Sequence, residues 1–310
     1  MKKKVAVILS AYNGEKYIAE QLLSLANQTY QDIDIFIHDD GSTDNTPKII
    51  CGFAERFSNF HIVNDTPGQK YPQCFIRLLK QVEGYDYYAF CDQDDVWYEN
   101  KLSDGIDSLE SIDNEQPLLY YTAVDYCDSD LKFIRHSRFA QNMYEITPLC
   151  LTDVLFGGEA MGMTFIFNSL SRNELLKANE HGDFKDWFLK VYCAACGKVL
   201  YNPVSSAKYR RHNEAVTGKS NPSGKFQRYC SQIKEIFLTA NTFDDQRRII
   251  ALLNREYLQN ISEDDKRLLS LFSEPNSLLK KMQKVFYKKR FRRKLLDEIG
   301  YRIAFAIGRI

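Results

Sequence analysis

Three short clusters carry most of the chemistry available to this sequence: Ser10-Ala11-Tyr12-Asn13-Gly14, Asp39-Asp40-Gly41-Ser42 and Asp92-Gln93-Asp94-Asp95. Together they offer a hydroxyl, an aromatic ring and several carboxylates. A crowd of carboxylates repels a phosphate unless a cation stands between them. Carboxylates are hard oxygen ligands, suited to Mg²⁺ or Mn²⁺. In extended backbone Asp92 and Asp94 point to the same side. One can reach a ribose hydroxyl while its neighbour binds a metal held by a diphosphate. Asp40 offers an acceptor to a base N–H, and Tyr12 a flat face for stacking. The combined set suits a nucleoside diphosphate bound with a metal. Each cluster alone has a plainer reading. Asp40-Gly41-Ser42 suits a turn with a helix cap, and Asp92-x-Asp94 an acidic turn. No GxGxxG follows the first apolar run and no GxxxxGK[ST] occurs, which argues against a dinucleotide fold and a P-loop.

The elements that must position these clusters alternate between two periods. Strands are expected at 5–9, 34–38, 60–63 and 87–91. Helices are expected at 15–27, 46–57 and 74–82, the first with Ile18, Leu22 and Leu25 on one face and the second with Pro47 in its first turn. Strand and helix alternating over about 100 residues imply an α/β fold, a mainly parallel sheet with helices on both faces. Ligands bind such sheets beyond the carboxyl ends of the strands, where the three clusters fall. Further strands are expected at 118–123, 163–167 and 199–201, a helix at 187–195, and a loop at 209–218. Beyond lie only helical patterns, at 226–240, 245–258, 265–272 and from Ser277 onward, with Ser223 and Ser262 as N-caps. The pattern divides into a domain at 1–218 and an all-helical extension at 219–310.

The 310 residues carry 41 Lys+Arg and 41 Asp+Glu, and 44% are hydrophobic. These are globular values that exclude disorder and repeats. The zero net charge is a cancellation, however. Residues 1–220 carry a net −9 and residues 221–310 a net +9. Nucleic acid is not expected as a partner, since a binder of that kind concentrates basic charge over its domain. Lys2-Lys3-Lys4 precedes only five apolar residues, which suits a buried first strand better than a signal peptide. No run is long enough to span a membrane. Eight scattered cysteines then read as reduced thiols of a cytoplasmic protein. Cys193-Ala-Ala-Cys196 lacks a second ligand pair and reads as structural.

The phrases Ser10-Ala11-Tyr12-Asn13-Gly14-Glu15, Asn27-Gln28-Thr29-Tyr30, Asp39-Asp40-Gly41-Ser42-Thr43-Asp44 and Asp92-Gln93-Asp94-Asp95 resemble the family-2 glycosyltransferases of GT-A fold. The resemblance covers about residues 5–218. Phe90-Cys91-Asp92-Gln93-Asp94-Asp95-Val96-Trp97 with Asn100-Lys101-Leu102, and Tyr209-Arg210-Arg211-His212 with Gly218, look like the bacterial rhamnosyltransferase branch. The resemblance implies that Ser10, Tyr12 and Asp40 cradle the base and ribose of a nucleotide-sugar donor. It implies that Asp92 faces the ribose, and that Asp94 coordinates Mn²⁺ or Mg²⁺ on the diphosphate with His212 approaching it. The family's base is a carboxylate before an aromatic residue at a helix start, which here is Asp186 in Phe184-Lys185-Asp186-Trp187. The branch often has His before this Asp; this chain has Lys185. The implied activity is inverting hexosyl transfer, with L-rhamnose from its dTDP donor as one candidate sugar. The acceptor would be a hydroxyl of a growing bacterial surface polysaccharide or lipid-linked glycan. Donor and acceptor specificity would fall to segments 66–75 and 125–165. Alternatives are a UDP-sugar donor, a nucleotidyltransferase, or a nucleotide-sugar-binding protein without turnover. Plainer readings also exist for helix capping by Asp186, a loop role for His212, packing by Trp97, helix-dipole pairing by Glu15, and turns at Gly157-Gly158 and Gly162.

The basic surplus is concentrated in the tail. Residues 280–294 hold nine Lys/Arg and no acid, interleaved with Met282, Val285, Phe286, Tyr287 and Phe291. Leu295, Leu296, Ile299, Ile303, Ala306 and Ile310 then recur at helical spacing. A basic amphipathic helix is the expectation, suited to an anionic membrane surface. Such contact would place the protein on the inner face of the cell membrane, as a lipid-carried acceptor would require. A solvated helix or one packed on the catalytic domain is the alternative.

Overall fold

Five apolar residues, Val5–Leu9, open the sheet, all fully buried because this first strand is covered on both faces. In the computed structural model β1 (Val5–Ala11) pairs in parallel with β2 (Ile33–Asp39) on one side and β4 (Tyr87–Cys91) on the other. The structure describes residues 2–64, 66–113, 115–137, 145–157, 161–182, 185–212, 243–273, 276–292 and 295–309. The expected boundary near residue 219, the helix at 226–240, its cap Ser223, and Phe184, Gly158 and Gly218 lie outside them.

The chain forms two compact units. One comprises Met1–Pro148, Glu159–Cys193 and Gly197–His212, and the other Leu149–Gly158, Ala194–Cys196 and Asn213–Ile310. In the first, β3 (Phe60–Ile62), β5 (Val96–Trp97), β6 (Leu118–Cys127), β7 (Phe133–His136), β8 (Thr147–Leu149), β9 (Ile166–Asn168) and β10 (Lys198–Arg210) extend the sheet. The main strand order is β3-β2-β1-β4-β9-β6-β10-β5. It is mixed: β3-β2-β1-β4 and β6-β10 are parallel, while β9 and β5 pair antiparallel with their neighbours.

The helices α1 (Ile18–Ala26), α2 (Thr46–Arg56), α3 (Gln73–Gln81) and α4 (Lys101–Glu110) fall between the early strands as the periodicity predicts. Ile18, Leu22 and Leu25 are fully buried on α1, and Pro47 sits in the first turn of α2. A short α5 (Leu151–Val154), α6 (Ser169–Ala178) and α7 (Asp186–Cys196) follow. Cys193 of α7 is buried with its sulfur beside Ser171 Oγ, and Trp97 is buried as a packing residue.

Three local expectations are corrected. The first helix starts at Ile18, not Glu15. Gly14 N–H donates to Thr46 Oγ1, and Glu15 accepts from Asn45, so residues 14–17 form a turn. Residues 163–165 are not strand: Gly162–Thr164 is a 3₁₀ turn held at Gly162 N by Asp186, and β9 begins at Ile166. Tyr209 and Arg210 are strand, not loop. β10 runs 13 residues because bulges beside Asn202 and Ser205 absorb what reads as a turn.

In the second unit the described residues beyond 242 are helical only: α8 (Asp244–Leu252), continuing through a π-turn (Leu253–Tyr257), α9 (Glu263–Phe272), α10 (Leu278–Val285) and α11 (Leu295–Ala306). Ser262 caps α9 as expected, accepting Asp265 N–H. The basic run is not one helix. Residues 286–292 leave the helical conformation and join α10 to α11 as a hairpin. The buried Glu298 explains the break: it accepts the amides of Phe291 and Arg292, while Arg302 donates to the carbonyls of Lys284, Val285 and Lys289. Phe156, Phe272, Phe291 and Phe305 form its aromatic core. The apolar stripes of the hairpin face outward: Leu278, Leu279 and Met282 on α10 with Phe286 just beyond it, and Leu295, Leu296, Ile299 and Ile303 on α11 with Ile307 just beyond it, are exposed. No helix among the described residues is long and apolar enough to cross a membrane.

Candidate active site

The parallel strands β1, β2 and β4 end side by side, so their following turns share one edge of the sheet. The first two turns are laced to each other. Asn13 N–H donates to Ser42 Oγ, and Thr43 N–H donates to Asn13 Oδ1, both at 2.8 Å. Asn13 adopts a left-handed φ of 47°, which an Asn tolerates. Asp39 accepts from the backbone and hydroxyl of Ser42. The turn after β4 joins them through Gln93, which accepts Tyr12 N–H and donates to Tyr12 C=O, each at 2.9 Å. Gly14 is needed at this meeting point, since a Cβ there would stand 2.3 Å from Gln93 Oε1.

Within this frame Tyr12 is 56% exposed, with its ring open to solvent. Ser10 lies with its hydroxyl against the Cys74 thiol. Asp40 is buried, and its two carboxylate oxygens accept the amides of Gln69 and Lys70 at 2.9 Å each. Its observed role is to fix the loop that leads to Tyr71. Asp92 and Asp94 are partly exposed, whereas Asp95 is fully buried. Loss of water contact pushes the Asp92 carboxyl up to about 6; Lys185 opposes this, and Asp94 and Asp186 add to it by like-charge repulsion. Burial likewise raises Asp95, with Asp94 and Asp92 adding to it and Arg210 opposing.

Asp186 opens α7. Its Oδ2 accepts from the Tyr71 hydroxyl at 3.3 Å and from Gly162 N–H at 3.2 Å. A Cβ on residue 162 would lie 2.3 Å from Asp186 Oδ1, so only glycine leaves room for the carboxylate. His212 follows β10, and its Nε2 stands 2.8 Å from Asp94 Oδ2. Its ring packs on Tyr17 at 4.8 Å between centroids, and its Nδ1 is buried without a hydrogen bond.

The donor chemistry at Asp94 and His212 fits a divalent ion that keeps other ligands. Among the described residues no three His, Cys, Asp or Glu side chains converge as a cage. The Asp94 carboxylate alone would leave most positions to water and phosphate oxygens, as Mg²⁺ and Mn²⁺ prefer, with the softer imidazole as an added ligand. The unpartnered His212 Nδ1 and the facing pair Nε2 and Oδ2 are consistent with that use.

Three groups that hold this site were missed in the sequence. Arg210 is 2% exposed and binds the turn from behind. Its backbone N–H donates to Asp95 Oδ1, its Nε to the Asp94 carbonyl, and its guanidinium to the Ser129 carbonyl and Glu20. Gln93 stood in view within the motif, but its two bonds to Tyr12 depend on strand order. Tyr71 follows the loop that Asp40 holds, a link that no local spacing announces.

The profile described as "Glycosyl transferase family 2" matches residues 6–176. The dTDP-rhamnosyl transferase RfbG of Shigella flexneri is 29% identical over 273 residues, covering 82% of this chain and 90% of the relative. The glycosyltransferase GlyG of Streptococcus pneumoniae is 22% identical, covering 83% and 75%. Among solved structures, S. aureus TarS in complex with UDP-GlcNAc superposes with a TM-score of 0.55 at 17% identity, covering 97% of this chain and 90% of that one. The mannosyltransferase PcManGT from Pyrobaculum calidifontis, in complex with GDP-Man and Mn²⁺, superposes at 0.51 and 15% identity, covering 100% and 87%. These likenesses show the fold, that of the GT-A transferases. With the family match spanning more than half of its length, the chain belongs to glycosyl transferase family 2 and is a nucleotide-sugar-dependent glycosyltransferase.

Proposed function

We propose that the protein transfers a hexosyl group, with inversion, from a nucleoside-diphosphate sugar to a hydroxyl of a bacterial surface glycan or its lipid-linked precursor. The observation that carries this reading is the arrangement of Asp92, Asp94 and Asp186, close enough for each ionisation to affect Asp92. Tyr12 stacks on the donor base, Ser10 and Asp92 hold its ribose side, and Asp40 shapes the pocket through the 68–70 loop. Asp94 and His212 would hold Mn²⁺ or Mg²⁺, which when bound supplies positive charge to the departing diphosphate. Asp186 takes the proton of the acceptor hydroxyl as its oxygen bonds to the anomeric carbon. The bond from that carbon to the β-phosphate oxygen breaks, and the nucleoside diphosphate departs with the electron pair. Tyr71 and Gly162 keep the receiving carboxylate aimed.

The similarity to RfbG across most of both chains supports dTDP-rhamnose as the donor. A panel of dTDP-, UDP- and GDP-sugars, scored for nucleoside diphosphate release with Mn²⁺, Mg²⁺ or chelator, tests it. Release from dTDP-rhamnose, lost with chelator, is expected; release from a UDP-sugar alone would replace it. Asp186→Asn should lower turnover by roughly 10²- to 10⁴-fold while donor binding persists. Normal turnover in that variant would remove Asp186 from the mechanism.

The outward stripes of α10 and α11 flank the exposed Lys288, Lys289 and Arg290. We assign this hairpin to an anionic bilayer surface, apolar side chains entering the interface and cations meeting the headgroups. Leu278→Ser with Phe286→Ser alters only exposed side chains, so folding should persist. Co-sedimentation with phosphatidylglycerol vesicles should fall; unchanged sedimentation would overturn the assignment.

A further inference from the structure

Lys185 has no place in the reaction as described, yet its side chain is only 3% exposed. An ammonium removed from water is costly unless something replaces its hydration. Here three rings and one carboxylate do so. The Nζ lies 3.8 Å from the ring centre of Phe75, 4.7 Å from Phe90 and 4.9 Å from Tyr71. Cation–π contacts of this kind strengthen when water is excluded. The rings brace one another edge to face, Phe75 against both Phe90 and Tyr71. The fourth contact is Asp186 Oδ1, at 3.4 Å.

The three rings come from elements that define the site. Phe90 is on β4, whose end carries Asp92. Phe75 is on α3, and Tyr71 is on the loop held by Asp40 and reaches Asp186 through its hydroxyl. The cage therefore fixes a positive charge under the meeting point of the donor turn and the base. Asp186 Oδ1 makes no hydrogen bond, so Lys185 is the group that faces it, while Oδ2 takes Tyr71 and Gly162. The other charged group acting here is Asp92, which repels Asp186 and is itself drawn toward Lys185.

We infer that Lys185 is a positioning residue for transfer: a caged cation that holds the otherwise unbonded Oδ1 of Asp186 and so keeps the carboxylate turned toward the acceptor. The inference rests on the reading of Asp186 as the base. A flexible or solvated lysine could not hold that oxygen, because its charge would be screened and free to move.

Lys185→Met keeps much of the volume and removes the charge. Its kcat should fall by roughly 10²-fold, the scale of a misplaced catalytic group, with donor KM much less affected. The loss should persist per folded enzyme, since Asp186 Oδ1 then has no group to hold it. Lys185→Arg should return much of the lost kcat. Combined with Asp186→Asn, Lys185→Met should cost nothing further, because both act through one carboxylate. A merely structural lysine would lower Tm and the active fraction and leave kcat per folded enzyme unchanged. An unchanged kcat per folded enzyme in Lys185→Met, with Asp186→Asn inactive, would overturn the inference alone. Full turnover in Asp186→Asn would remove the base reading and the inference with it.

Discussion

The turns after β2 and β4 look alike in composition, both dense in aspartate, yet they do different physical work. In 39–46 the carboxylates are matched to donors. Asp39 binds Ser42, Asp40 binds two loop amides, and Asp44 binds Glu15 N–H and Thr46 N–H. Those bonds hold the Asp44 carboxyl below its usual range against the opposing effect of partial burial. In 92–95 Asp92 and Asp95 are raised, by burial first and by the neighbouring acids in addition. Matched carboxylates shape a scaffold, whereas crowded ones are a store of repulsion that a cation or a bound ligand can relieve.

Variants can break that contrast. The largest effect is expected for Asp94→Ala, which should lower kcat/KM by about 10²- to 10³-fold in the nucleoside diphosphate release assay while thermal stability holds or rises. A marked fall in Tm would place Asp94 with the scaffold instead. Gly162→Ala forces a methyl group onto the Asp186 carboxylate, and turnover should drop by roughly 10²-fold with donor binding by calorimetry unchanged. Equal loss of binding would mean that the 3₁₀ turn supports the donor pocket as well. Asp40→Ala strips two amides of their acceptor and should cost about 1–3 kcal/mol of stability, read as a lower Tm and a higher donor KM. A pure kcat defect would contradict its assignment to the scaffold.

The smallest effect concerns pH. Asp92 sits near 6 in the folded chain, above an ordinary carboxylate. The folded state thus binds a proton that the unfolded state has released, so this group's contribution to stability declines as pH rises toward about 6 and is level above it. Donor binding that needs ionised Asp92 runs the other way. Its affinity should weaken by up to about tenfold per pH unit below 6, as measured by titration calorimetry. Asp92→Asn should bind more weakly overall and lose that inflection; an inflection that persists would assign it to another group.

Much of the fold was legible in the sequence. The apolar runs at 5–9 and 87–91 are buried throughout, 34–38 alternates buried with half-buried residues, and all three strands formed within two residues of expectation. The order of the three turns along one sheet edge followed from parallel pairing. Residues 199–210 were legible only in part, because bulges beside Asn202 and Ser205 hide a long strand in turn-like composition. The tail misled for a related reason. Its charges and apolar residues keep helical spacing through residue 290, but buried Glu298 withdraws two amides from the helix. What joins the site together was legible least. Tyr71 with Asp186, Gln93 with Tyr12 and Arg210 with Asp94 pair across 81 to 116 residues, distances at which local pattern carries no information.

Arg210 has a consequence for the order in which the molecule is made. A chain growing from its N-terminus completes the strands of residues 5–91 early, and domains fold as their segments emerge. The acidic turn that follows must wait for its counter-charge until more than a hundred further residues have been added. Asp186 and His212 also come late, beyond the span of the family match. A nascent chain therefore acquires its first strands well before its site, and the cation that completes the turn arrives with the last strand of the sheet.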